Sequence, residues 1–106
     1  MPAIDTFLNQ VLERNGSDLH FLAGDPPRVR QYGELKALRP EPLEAEMVKT
    51  ALYEIMPKLS VDRFESKDGT DFAYAIPGVA RFRVNVMRQL NGMGAVFRAI
   101  DRKSVV

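Results

Sequence analysis

Residues 80–100, ARFRVNVMRQLNGMGAVFRAI, alternate polar and apolar side chains through Arg81, Phe82, Arg83, Val84, Asn85 and Val86, the period of a strand with one buried face. A second such run spans residues 94–100. Between them stands Asn91-Gly92, suited to a two-residue type I′ turn because both central residues of that turn take positive φ. A β-hairpin is the expectation. With Asn91-Gly92 as its loop, Leu90 faces Met93, Val86 faces Phe97, Val84 faces Ala99 and Asn85 faces Arg98. Phe82, Val84, Val86, Phe97 and Ala99 then share a core face, and Arg81, Arg83, Asn85 and Arg98 share the other. Three guanidinium groups on one face repel one another, so the face suits an anion or a carboxylate-bearing partner; a solvated outer face is the alternative.

Upstream, residues 71–76 read as a strand with Phe72, Tyr74 and Ile76 on one face, set off by a turn at Asp68-Gly69-Thr70 and turned into the hairpin by Pro77-Gly78. Before it, residues 58–66 form a short helix with Pro57 at the N1 position. Leu43, Met47, Val48, Leu52, Ile55 and Met56 mark a longer amphipathic helix, with glutamates in its first turn. At the other end of the chain, Ile4, Phe7, Leu8, Val11 and Leu12 recur on one helical face, and Gly16 suits the left-handed position after that helix. Residues 19–23, 28–32 and 34–38 are short strands separated by Gly24-Asp25-Pro26-Pro27 and Gly33, an antiparallel meander. Helix, three strands, two helices and three strands make an α+β domain: a mostly antiparallel six-stranded sheet with about three helices over one face.

A chain of 106 residues with 45% hydrophobic content is one domain able to fold on its own core. It contains no cysteine and one histidine, which excludes disulfides and thiolate or multi-histidine zinc sites. No apolar run approaches a membrane span and the N-terminus lacks a signal-peptide layout, so a cytoplasmic protein is expected. A net charge of +1 argues against a nucleic-acid partner. The charge is uneven, however: from Arg81 onward Arg81, Arg83, Arg88, Arg98, Arg102 and Lys103 stand against Asp101 alone.

No Gly-Lys pair occurs in the chain, so the phosphate-binding loop G-x-x-x-x-G-K-[ST] is absent and the chain by itself is expected not to be an enzyme. Gly92-Met93-Gly94 is hairpin chemistry. Asp18 and His20 share a strand face; a role in polarising a nucleophile or orienting an interface stands beside a purely structural one. Glu44 and Glu46 do not share a helix face and make no acid/base dyad. No metal site is expected.

Taken together, Gly-Ser-Asp-Leu-His at 16–20, Pro26-Pro27 with Arg30, Gly33 and Leu35, Asp71-Phe72, and Arg81-Phe82-Arg83-Val84-Asn85-Val86 followed by Gly92, Gly94-Ala95-Val96-Phe97-Arg98 and Ile100 resemble the N-terminal domain of PilT-type motor ATPases of type IV pilus retraction and type II secretion. The resemblance implies a PAS-like domain over residues 1–100, with 101–106 a tail or the start of a linker toward a RecA-like ATPase domain that lies outside this chain. It also implies a homo-hexamer working with the pilus machinery at the inner membrane, with ATP and Mg²⁺ as cofactors of the full-length protein and none in this chain. Arg81, Arg83 and Arg98 are the positions expected to approach a neighbouring subunit's nucleotide, and Asp18, His20 and Arg30 to serve an interface or structural motif. A stand-alone PAS-like module binding a ligand between sheet and helix, against Phe72, Tyr74 and Phe82, is the alternative.

Overall fold

The computed structural model describes residues 2–102. Its elements run α1 (Ile4–Glu13), β1 (Asp18–Leu22), β2 (Arg28–Gln31), β3 (Glu34–Ala37), α2 (Ala45–Ile55), α3 (Lys58–Lys67), β4 (Gly69–Ile76), β5 (Ala80–Gln89) and β6 (Gly92–Arg102). The strands form one six-stranded sheet in the order β3-β2-β1-β6-β5-β4, and every neighbouring pair is antiparallel. The α+β expectation is met. The ordering joins the two ends of the chain, because β6 lies against β1 at the centre of the sheet.

One face of that sheet carries Leu19, Phe21, Val29, Phe82, Val84, Val86, Ala95 and Phe97, all buried against Ile4, Leu8 and Val11 of α1, Val48 and Leu52 of α2 and Phe64 of α3. Helices therefore cover one face only. Tyr74, at the β4 edge, donates its hydroxyl to the buried carboxylate of Asp5 in the first turn of α1. Burial, then that hydrogen bond, pushes the Tyr74 phenol well above its ordinary range.

Several local expectations are corrected. The residue in left-handed conformation after α1 is Asn15 (φ 57°), not Gly16. The Asn15 N–H bonds to Leu12 O and the Gly16 N–H to Val11 O, a Schellman motif in which Gly16 is the second residue past the cap. Gly16 is required for another reason: a Cβ there would lie 2.3 Å from Val29 Cγ2, so only a hydrogen lets the chain pass so close to β2. Leu43 precedes α2 and makes a parallel bridge to Ala23. Pro57 is the N-cap of α3 rather than its first residue, and the Asp68-Gly69-Thr70 turn contracts to Asp68 in left-handed conformation, with β4 starting at Gly69.

The hairpin is also shifted by two residues. Its loop is Leu90-Asn91; Gln89 pairs with Gly92, Val84 with Phe97, Val86 with Ala95, Arg83 with Arg98 and Phe82 with Ala99. Gly92, not Asn91, takes the positive φ, at 132°. The type I′ geometry falls at Tyr32-Gly33 between β2 and β3, where both φ values are positive, 52° and 81°. A two-residue slip preserves the faces, so the buried and exposed sets survive the wrong pairing.

Candidate functional site

Register across the uncovered face of the sheet sets one continuous row of Cα partners: Leu35, Arg30, Asp18, Arg98, Arg83 and Ala73, running from β3 to β4. The next row brings together Arg28, His20, Val96, Asn85 and Asp71. Three of the arginine positions and the Asp18/His20 pair, separate in sequence, thus lie on a single surface. Arg81 stands on the same side, at the β5 end, beside a register shift between Arg81 and Phe82. Arg83 and Arg98 are direct cross-strand neighbours, closer company than the Asn85–Arg98 pairing expected from the turn.

Like charges placed this way need neutralising. Arg83 Nη2 donates to Asp71 Oδ2 at 3.0 Å, a diagonal contact from β5 to β4. Arg98 Nε donates to Asp18 Oδ2 at 3.4 Å, from β6 to β1. Asp18 itself is buried, and its Oδ1 accepts the Ser17 hydroxyl at 2.6 Å. Arg30 turns toward the β2–β3 reversal, with Nη1 donating to Gly33 O at 3.3 Å. The remaining guanidinium surface of Arg83 and Arg98 faces solvent, with side chains 64% and 71% exposed. A face of this kind suits polydentate contact with phosphate or carboxylate oxygens.

His20 lies in the same field. Burial and then the Arg30 charge, with a smaller push from Arg28, hold its imidazole below the ordinary value against the opposing pull of Asp18. Neutral imidazole is thus favoured beside the arginines.

Sequence reading grouped Asp18 with His20 and missed both acid partners. Asp18–Arg98 spans eighty positions and follows only from β6 lying against β1. Asp71 reads in sequence as a strand residue and part of the resemblance, with nothing to pair it with Arg83. The ligand site of the alternative reading, against Phe72, Tyr74 and Phe82, is packed core: Phe82 is buried, and Phe72 and Tyr74 close onto the same cluster. A surface cavity of about 390 Å³ lies elsewhere, where Lys49 and Tyr53 of α2 and Phe64 and Glu65 of α3 meet Arg88 of β5. Among the described residues no helix is long and apolar enough to cross a membrane.

An antiparallel sheet of this topology with helices on one face is also found in a known pilus motor. The chain is 44% identical over 91 residues to the type IV pilus retraction ATPase PilT of Pseudomonas aeruginosa, covering 86% of this chain and 26% of that protein. It is 30% identical over 97 residues to the type IV pilus ATPase PilU of the same organism, covering 92% of this chain and 25% of that one. A crystal structure of the pilus retraction motor PilT with bound ADP superposes with a TM-score of 0.84 at 28% identity, over 94% of this chain and 29% of that one. No family model matches. The fold and the homology define a domain of the pilus motor class. More narrowly, the chain is homologous to the PilT-type motor ATPases and corresponds to their N-terminal domain. It spans about a quarter of the length of the curated relatives it matches.

Proposed function

We propose that this chain is the non-catalytic N-terminal domain, residues 1–100, of a hexameric pilus-retraction motor of the cytoplasm, and that residues 101–106 begin the linker to its RecA-like ATPase domain. In this reading the ATP and Mg²⁺ chemistry belongs to that domain, which would carry the phosphate-binding loop that this sequence lacks. The N-terminal domain docks on the ATPase domain of the same or a neighbouring subunit and directs Arg81, Arg83 and Arg98 at the nucleotide phosphates. The observation that carries this reading is the adjacency of Arg83 and Arg98 on a sheet face that the helices leave open, their side chains mostly exposed. ADP in the similar PilT structure supplies a polyanion of the right chemistry. Arginine fits the task because its planar fork stays charged and binds two phosphate oxygens at once.

The test is an alanine and lysine series at Arg83 and Arg98 in the full-length assembled motor. Arg83 and its partner Asp71 are both exposed, so Arg83→Ala should leave domain melting within about 0.5 kcal/mol of the parent, whereas Arg98→Ala strips the buried Asp18 carboxylate of its cation and should cost about 1–3 kcal/mol. Loss of an arginine finger should lower kcat for ATP by about 10³-fold or more. Lysine should restore little, because it keeps charge without the fork. Normal melting with normal turnover would reduce the face to solvated surface.

A further inference from the structure

Arg83 and Arg98 are neighbours, yet their carboxylates hold them differently. Asp71 meets Arg83 at Nη2, on the fork that would grip a phosphate, and both side chains are about half exposed or more, 64% and 51%. Asp18 meets Arg98 at Nε, on the inner edge of the guanidinium, which makes no other hydrogen bond among the described residues. The Asp18 side chain is 6% exposed while that of Arg98 is 71% exposed, so a fixed acid holds the base of an outward-reaching fork.

The carboxylate is anchored from both sides. Ser17 O accepts the Ala99 N–H of β6 at 3.0 Å, and the Ser17 N–H donates to Arg30 O of β2 at 2.9 Å. The Ser17 hydroxyl then locks Asp18 Oδ1. Ser17-Asp18 is therefore a wedge between β2 and β6 that sets where Arg98 can point. We infer that Asp18 is a positioning residue: it holds Arg98 by Nε so that both terminal amino groups face outward, ready for phosphate without rearrangement, whereas Arg83 must first exchange Asp71. Preorganisation of this kind matters because an arginine otherwise loses rotamer freedom on binding.

The consequence for turnover rests on the phosphate reading above, and two readouts separate them. The first is the Arg98 Nε–Hε resonance in this chain. Asp18→Asn should shift it and speed its exchange with solvent while the β6 amide resonances stay in place; an unmoved resonance overturns the inference. The second is a double-mutant cycle in the full-length motor. Asp18→Asn should lower kcat for ATP by about 10- to 100-fold, the range for losing a group that orients a reacting residue, and should do nothing further in an Arg98→Ala background. Equal losses in both backgrounds would mean that Asp18 acts independently of Arg98, and would sink the proposal. Normal turnover in Arg98→Ala alone would instead remove the phosphate reading, leaving the resonance to judge the contact. If Asp18→Asn melts early, Ser17→Ala supplies the same test: it frees the carboxylate without removing it, and the Arg98 resonance should move in the same direction by less.

Discussion

Phe97 is the strongest test of the fold, since it sits fully buried at the middle of β6 with Leu19 opposite on one side and Val84 on the other. Truncation to alanine removes an aromatic ring from a site closed by two strands and leaves a cavity that the sheet backbone cannot collapse. Phe→Ala changes of this kind cost about 3–5 kcal/mol, a large part of the ~5–15 kcal/mol that holds a domain together. The pairing can be tested at the same time. Val84→Ala removes contact with the residue directly opposite Phe97, whereas Val86→Ala acts two residues along, opposite Ala95. Both valines are fully buried, so their single costs should be similar. Urea unfolding of the two double-mutant cycles should give a Phe97–Val84 coupling of about 0.5–3 kcal/mol and a smaller one for Phe97–Val86. A larger coupling to Val86 would restore the register expected from the Asn91-Gly92 turn and refute the hairpin described above. A Phe97→Ala loss under about 1 kcal/mol would refute its burial.

Two further outcomes are open to measurement. Gly16→Ala should destabilise by about 1–3 kcal/mol, because its Cβ would meet Val29 Cγ2 at 2.3 Å and Arg30 O at 3.1 Å, and the second contact is backbone that cannot rotate away; a neutral result in thermal melting would show that α1 shifts freely. His20 should make stability fall with acid: its folded pKa lies below 6.5, so the unfolded chain binds the proton first. Stability is then full above about pH 6.5 and is lost as pH falls through the lowered value. His20→Gln should flatten that part of the urea midpoint profile, and an unchanged slope between pH 7.5 and 5.5 would assign the acid sensitivity to other groups.

The faces of the hairpin were legible from the sequence because alternation has a period of two and tolerates an even slip. Its register was not, because the turn is overruled from outside the hairpin. Met93 is buried and its carbonyl accepts the Ala23 N–H at 3.0 Å, and a Cβ on Gly92 would stand 3.3 Å from Ala23 and 3.4 Å from Ala45. Those contacts draw Gly92 and Met93 into β6 and push the loop back to Leu90-Asn91, where Leu90 lies 98% exposed. A strong local turn signal lost to packing against β1 and α2, which no window of adjacent residues records.

The candidate site has the same origin. Gly16, Ser17 and Asp18 read in sequence as a helix end and a turn, each with its own local explanation. In the fold they form one device. Gly16 lets the end of α1 lie almost on Val29, which brings Ser17 between the carbonyl of Arg30 and the amide of Ala99, and that places Asp18 between Arg30 and Arg98. The order of the three residues matters, because a side chain at the first would move the second, and the second carries the hydroxyl that fixes the third. What the sequence could not disclose is the partner, since Arg98 arrives from the far end of the chain through the β1–β6 pairing. The arginine face and the Gly-Ser-Asp segment, which looked like two separate features, are two halves of one charged centre on the open side of the sheet.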